Sequence, residues 1–196
     1  MKTETPDTKS QILTVGRKLT AEHGYAGVGL NQLLTSANVP KGSFYHYFPS
    51  KEAYGCALLE EFIAQYRASL AETLNDPTRN AHDRFLAYFE GWKQHQTSPN
   101  PEERCLVVRL SAEVADLSEN MSQILQRGVD CIVESLSDVL VQGIAEGSVP
   151  HLDDPTLLAR STYYQWLGAS LVAGLSHNEE PLNAAMTATI EAVRPD

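Results

Sequence analysis

Apolar residues recur every three or four positions along almost the whole chain, which is the period of an amphipathic α-helix. The first of these stripes contains Ile12, Leu13 and Leu19, and it stops at His23 and Gly24, a pair typical of a helix C-terminus. No segment alternates apolar and polar residues in the way that a half-buried β-strand does. The pattern therefore predicts an all-α protein.

Three short helical segments come first, and about six longer ones follow them. The tight turn "SANVP" separates the second segment from the third, which begins after Pro40 and covers about residues 41–47. Three helices in such a short stretch, with a tight turn before the third, are typical of a helix-turn-helix. Ser50 is placed to cap a long fourth helix that ends near residue 74, and Ser118 is a candidate cap of a later helix.

This layout predicts two domains. A helix-turn-helix DNA-binding domain would occupy residues 1–50, and a sensing and dimerisation domain would occupy residues 51–196. The helix from residue 51 to about residue 74 would link the two domains.

The charge of the chain is uneven along its length. Overall, 15 Lys and Arg residues stand against 25 Asp and Glu residues, and the net charge of -10 by itself argues against a nucleic-acid partner. Residues 1–55 nevertheless hold six basic and four acidic side chains, a net charge of +2, while the remaining residues carry a net charge of -12. This asymmetry indicates that only the N-terminal part meets a polyanion.

Several classes of protein are disfavoured by the sequence. No apolar run approaches the roughly 18 residues that a membrane-spanning helix needs, and the N-terminus lacks the apolar core of a secretion signal, so a cytoplasmic location is expected. The three cysteines form no CxxC pair, and neither a metal site nor a cofactor is expected. A thiol-dependent enzyme is a remote alternative, because no resolving cysteine, no Cys–His pair and no glycine-rich phosphate loop are evident.

The third helix, with the sequence "KGSFYHYF", is the candidate DNA-contacting element. Aromatic residues at helical spacing are by themselves typical of a core, and Phe44, Tyr47 and Phe48 are expected to face inward, against helix one and the start of helix four. The other side chains offer donors to phosphates and base edges, and a glycine allows the backbone to approach closely. The candidate DNA-binding residues are Lys41, Gly42, Ser43, Tyr45, His46 and Lys51.

The stretch "GYAGVGLNQLLTSANVPKGSFYHYFPSKEAYGCALLE", residues 24–60, resembles the DNA-binding domain of the TetR family of transcriptional repressors. The specific marks are the Gly-Tyr pair after helix one, the stretch "VPKGSFYHYF", and "SKEA" at the start of helix four. The resemblance implies a TetR-like fold and a homodimer. It also implies that two recognition helices enter successive major grooves of a palindromic operator.

The same resemblance implies that the last two helices, over about residues 155–177 and 181–193, build the dimer interface. The segment "STYYQWLGASLVAGL" mixes small residues with bulky ones, which would allow two helices to approach closely. Ordinary packing within one chain would use small residues in the same way, so both interpretations stay open here.

The stretch "ERCLVVRLSAEVADLSENM", residues 102–121, resembles the NemR-type branch of that family. The resemblance implies that one cysteine, which falls on Cys105, senses electrophiles or reactive chlorine species. Cys105 follows a proline-containing loop and opens a helix, whose dipole stabilises a thiolate. Arg104 and Arg109 are expected to lower the pKa of this thiol further. Alternatively, Cys105 is only a small buried hydrophobic residue.

The sequence departs from this branch at two positions. Ala115 stands where some relatives carry a second cysteine, and Gly174 stands where NemR-type proteins carry a lysine that can bond to the oxidised sulfur. The second departure puts a sulfur–nitrogen crosslink in doubt. The other cysteines, Cys56 and Cys131, are expected to be structural.

Aromatic side chains of the later helices could line a pocket beside Cys105, although such residues at helical spacing more often belong to a core. The candidates are Trp92, His95, Tyr163 and Trp166. Within the same class of protein, the alternative function is a repressor induced by a noncovalent ligand, with Cys105 as part of the pocket wall.

Overall fold

The computed structural model describes residues 7–195, and over this range it contains nine α-helices and one 3₁₀ turn, Pro101–Glu103. The prediction of an all-α protein is confirmed for these residues. The helices are α1 Thr8–His23, α2 Leu30–Ser36, α3 Lys41–Tyr47, α4 Lys51–Leu74, α5 Ala81–Thr97, α6 Leu106–Leu117, α7 Glu119–Glu146, α8 Pro155–Ser176 and α9 Glu180–Ala192. None of these helices is long and apolar enough to cross a membrane.

Local sequence signals account for several helix ends. Gly24 ends α1 with a φ of 75°, and its N–H donates to the carbonyl of Thr20 at 2.9 Å. Ser50 caps α4, because its hydroxyl accepts from the N–H of Ala53 at 3.0 Å. Ser118 caps α7 in the same way at 3.2 Å. The two serine caps are those that the sequence predicts.

The described chain divides into two compact units. The first comprises the described part of Met1–Ala64 together with Pro99–Gln126, and the second comprises Gln65–Ser98 and the described part of Arg127–Asp196. The predicted boundary between residues 50 and 51 lies inside the first unit. The first unit therefore contains the helix-turn-helix and also α6.

The first unit is built around aromatic side chains from α3 and α4. Phe44 and Phe48 are buried, and their ring centroids lie 5.8 and 5.5 Å from that of Tyr54. These two residues face inward as expected. Tyr47 is only half-buried, with its hydroxyl 3.5 Å from Asp7 Oδ1, so the expectation of a core position is wrong for this residue. Tyr47 is the last residue of the seven-residue α3.

The second unit has an aromatic core contributed by α5 and α8. The rings of Phe89 and Trp166 stack with centroids 5.1 Å apart, and Trp92 lies 6.0 Å from Trp166. Each indole N–H has a buried hydroxyl partner: Trp92 donates to Ser170 at 3.0 Å, and Trp166 donates to Thr189 of α9 at 2.9 Å. These hydrogen bonds satisfy the polar ends of two large buried side chains.

Candidate functional site

The outward face of α3 carries most of the predicted DNA-binding residues. Lys41, Gly42, Tyr45 and His46 are exposed, and Ser43 is half-buried. The four exposed residues form two i, i+4 pairs, 41 with 45 and 42 with 46, which lie side by side on the helix surface. Nothing lies within 4 Å of the position that a Cβ of Gly42 would take, so the backbone there is open to a close approach. We call these five residues the recognition surface.

Lys51 is placed differently from the other candidates. Its Nζ lies 4.9 Å from the ring centroid of Tyr25 and 3.4 Å from the Tyr25 carbonyl oxygen. The Tyr25 hydroxyl in turn donates to the Lys51 carbonyl at 2.6 Å. Burial, followed by Cys56 and Glu52, raises the pKa of Tyr25 to about 12, so the phenol keeps the proton that it donates. Lys51 thus joins the turn after α1 to the start of α4, and its predicted phosphate contact stays a prediction.

Cys105 is the residue that caps α6, with φ -64° and ψ 117°. The residue is half-buried. Burial raises the pKa of this thiol above its ordinary value, and the backbone N–H groups of Val108 and Val107 oppose that rise without cancelling it. The expectation of a lowered pKa is therefore wrong, because desolvation outweighs the helix N-terminus.

Neither of the two predicted supporting arginines contributes to the pKa shift of Cys105. Arg104 is exposed at the end of the 3₁₀ turn. Arg109 turns toward α1, where its guanidinium donates to the carbonyl oxygen of Glu22 at 3.4 Å. An arginine on α6 thus caps the C-terminal end of α1, where unpaired carbonyls favour a cation.

Glu113 makes the strongest contact between α6 and the helix-turn-helix. Its carboxylate accepts the backbone N–H of Tyr25 at 2.7 Å and that of Ala26 at 3.3 Å. Both N–H groups belong to the turn that leads from α1 to α2. We call the contacts of Arg109 and Glu113 with residues 22–26 the clasp. It brings together residues 87 or 88 positions apart, so no local sequence pattern predicts it.

The corner between α6 and α7 meets the start of α4. Glu52 accepts from the hydroxyl of Ser118 at 2.6 Å and from the side-chain amide of Asn120 at 3.3 Å. A Cβ on Gly55 would lie 2.8 Å from the Met121 sulfur, so a glycine lets the two helices approach. Together with the clasp, these contacts hold α6 against α1 and α4 within the first unit.

The predicted pocket residues lie in the second unit. Trp92, Tyr163 and Trp166 are buried in its aromatic core, while His95 is exposed near the end of α5. Cys105 belongs to the first unit, so a pocket shared with these residues stays a prediction.

A groove of about 210 Å³ opens on the second unit beside Cys131, which is half-buried. Its lining combines charged and amide side chains with apolar ones. Its lining residues are Arg67, Leu70, Ala71, Leu74, Asn75, Cys131, Ser135, Asp138, Val139 and Gln142. Among the described residues, no group of three or more His, Cys, Asp and Glu could hold a metal ion.

One face of α8 leaves large apolar side chains in contact with solvent. Leu175 is 82% exposed, and it belongs to a patch of exposed apolar side chains of the kind that marks an interaction site. Gly168 and Gly174 have open space where a Cβ would lie. The exposed apolar residues of α8 and α9 are Leu157, Tyr164, Leu171, Val172, Leu175 and Ile190.

Comparison with known proteins gives a consistent result for both halves of the chain. Residues 12–53 match the family model of bacterial regulatory proteins of the tetR family, and residues 81–189 match a tetracyclin repressor-like C-terminal domain. The chain is 41% identical over 180 residues to the HTH-type transcriptional repressor NemR of Escherichia coli K12, covering 92% of this chain and 90% of that protein.

A more distant relative and two solved structures extend the comparison. The HTH-type transcriptional repressor DhaR of a Mycobacterium species is 30% identical over 191 residues, which cover 95% of this chain and 92% of DhaR. The crystal structure of the reduced form of E. coli NemR superposes with a TM-score of 0.92 at 39% identity, covering 97% of this chain and 98% of that one. A TetR regulatory protein of Rhodobacter sphaeroides gives a TM-score of 0.80 at 27% identity, with coverages of 93% and 96%.

Proposed function

We propose that this chain, which belongs to the TetR family of bacterial regulatory proteins, is a cytoplasmic homodimeric repressor that leaves a palindromic operator when an electrophile or an oxidant modifies Cys105. Membership in that family makes it a DNA-binding transcriptional regulator and not an enzyme.

The recognition surface is suited to the major groove. The exposed Lys41 supplies a cation for a phosphate. The exposed Tyr45 and His46 supply hydrogen-bond donors and acceptors for base edges. Because α3 has only seven residues, one copy can contact few base pairs. Two copies related by a two-fold axis would double the number of base pairs contacted, which explains a palindromic operator.

The exposed apolar face of α8 and α9 is the proposed dimer interface. Its leucines would be covered by the same face of a second copy, since a two-fold interface is self-complementary. Gly168 and Gly174, which have open space above them, would let the helix of the partner approach closely. A dimer of this kind would present two recognition surfaces to one operator.

The proposed sensor reaction takes place at the sulfur of Cys105. With a maleimide, the thiolate adds to one carbon of the C=C bond, and the proton lost from the thiol ends on the other carbon. With hypochlorite, the sulfur attacks chlorine and releases hydroxide, and water then replaces chloride to leave a sulfenic acid, so that sulfur is oxidised and chlorine is reduced. Because the pKa of the thiol is raised, both reactions use its minor thiolate fraction, and the maleimide reaction is expected to accelerate with rising pH.

The observation that carries the proposal is that Cys105 stands at the start of the same helix whose residues Arg109 and Glu113 form the clasp. Cys105 is half-buried at the start of α6, so the added volume of an adduct would displace the start of that helix. That displacement reaches the turn between α1 and α2, and hence the orientation of α3. The relative whose structure is described as a reduced form adds support for a redox-active family branch.

The test is operator binding before and after modification, with the intact mass of each sample. The operator is a duplex recovered by in vitro selection with the reduced wild-type protein. One equivalent of N-ethylmaleimide on Cys105 should raise the Kd of the wild type by about tenfold or more. Cys105→Ser should neither gain that mass nor release the duplex.

Cys56→Ser and Cys131→Ser are the matched controls, and both should behave as the wild type does. Release of DNA by Cys105→Ser after the same treatment would exclude Cys105 as the sensor. Retention of DNA by a wild type that carries the adduct would do the same.

A repressor with a noncovalent ligand is the alternative function, and the polar groove beside Cys131 supports it. Its size suits a small amphiphilic molecule. This alternative requires release of the operator without any change in the mass of the protein.

A further inference from the structure

Glu113 lies two helical turns after Cys105, about 12 Å farther along α6. Its carboxylate accepts two backbone N–H groups from a distant part of the first unit, those of Tyr25 and Ala26. Hydrogen bonds from N–H groups to a carboxylate are short and strong because the acceptor is charged. They also depend steeply on distance and angle.

The turn that receives Glu113 is shaped for a carboxylate. Gly24 adopts a φ of 75°, which residues with a Cβ seldom adopt. A Cβ at that position would lie 2.6 Å from Glu113 Oε1, so a side chain there would also push the carboxylate away. Both the backbone conformation and the space at residue 24 therefore serve this contact.

The turn is also linked to the recognition helix. The side-chain amide of Gln11, on α1, donates to the carbonyl of Ala37 at 2.8 Å. Ala37 ends α2 and begins the turn that leads into α3. A shift of α1 relative to α6 would therefore be passed to the start of the recognition surface.

We infer that Glu113 is the positioning residue through which α6 sets the arrangement of the helix-turn-helix. With its carboxylate in place, the turn after α1 follows α6, and the two recognition surfaces keep the separation that the operator requires. Without it, α6 can move while the helix-turn-helix stays where it is. The part of this inference that concerns signalling rests on Cys105 being the sensor, as proposed above.

The test compares three variants. Glu113→Ala removes the acceptor, Glu113→Gln keeps one oxygen that can accept an N–H, and Asp116→Ala removes an exposed carboxylate from the same helix. Each is treated with N-ethylmaleimide until the intact mass shows one adduct on Cys105, and binding to the selected duplex is measured before and after.

The ratio of the two Kd values is the decisive quantity. For the wild type and Asp116→Ala it should be about tenfold or more, whereas for Glu113→Ala it should fall below about threefold. Glu113→Gln should restore most of the ratio. A Glu113→Ala protein that is folded, fully modified and released as strongly as the wild type would overturn the inference.

Failure of the proposed sensor is recognisable separately. If the modified wild type does not release the duplex, the unmodified variants decide the role of Glu113. Weakening of operator binding by more than about threefold in Glu113→Ala, but not in Asp116→Ala, supports the positioning role. Equal binding by the two unmodified variants overturns it. Thermal unfolding monitored by circular dichroism shows whether each variant is folded.

Discussion

The two units of the chain hold their helices in different ways. In the first unit, the clasp joins charged side chains of α6 to the backbone of residues 22–26. Arg109 donates to this backbone, and Glu113 accepts from it. In the second unit, α5 and α8 are held by a stack of large aromatic rings such as Phe89 and Trp166. Directional polar contacts are lost on a small displacement, whereas buried rings keep most of their contact area.

This difference suits the two tasks of a regulator. The unit that contains Cys105 and the recognition surface needs contacts that a local change can break. The unit that contains the proposed dimer interface needs to remain in place while that happens. The comparison therefore predicts large losses of stability for changes in the aromatic core and small losses for changes in the polar contacts.

The largest effect is expected from Trp166→Ala. The side chain is fully buried, and its removal leaves a cavity and takes away the indole N–H that the Thr189 hydroxyl accepts. We expect the free energy of unfolding to fall by about 3–5 kcal/mol. Urea unfolding followed by circular dichroism measures this, and Gln165→Ala, an exposed neighbour on α8, should stay within about 0.5 kcal/mol of the wild type. Similar losses in the two variants would contradict an aromatic core.

A smaller effect is expected from Ser170→Ala. This change leaves the buried indole N–H of Trp92 without its partner at 3.0 Å. We expect the free energy of unfolding to fall by about 1–3 kcal/mol, the cost of an unsatisfied buried donor. Ser161→Ala, at an exposed position of the same helix, is the control. An unchanged midpoint in urea for Ser170→Ala would mean that water replaces the hydroxyl.

The smallest effect concerns Tyr25 in the first unit. Its pKa is raised to about 12 in the folded protein, so its contribution to stability is complete below pH 10 and is lost as the pH rises through 12. We expect this loss to amount to about 1 kcal/mol once solvent screening is allowed for.

The measurement is the free energy of unfolding at pH 9, 10 and 11. Tyr25→Phe should show a shallower decline over this range than the wild type, while Tyr45→Phe, at an exposed phenol, should decline as the wild type does. The opposite order would show that the hydroxyl of Tyr25 is not held by the Lys51 carbonyl.

Local signals in the sequence predict the helices well because capping and periodicity act between near neighbours. The bounds of α3 agree with the expected residues 41–47, and Ser50 and Ser118 cap the helices expected of them. The family resemblance, carried by residues 24–60 and 102–121, is confirmed by matches over most of the chain.

The errors concern quantities that depend on distant parts of the chain. A helix N-terminus lowers the pKa of a thiol, but the sequence does not show how far the fold desolvates the thiol of Cys105, which raises its pKa more. Arg109 is predicted to lower the pKa of Cys105, and Glu113 has no predicted role. Both instead contact residues that lie 87 or 88 positions away.

The hydrogen-bonded indoles of the second unit have a practical consequence for spectroscopy. The chain contains two tryptophans, and both lie in that one aromatic core. Their fluorescence should therefore be blue-shifted in the native protein, and its red shift in denaturant reports the opening of that unit alone. Because the helical signal comes from both units, coincidence of the two transitions is a direct test of whether the chain unfolds as one cooperative body.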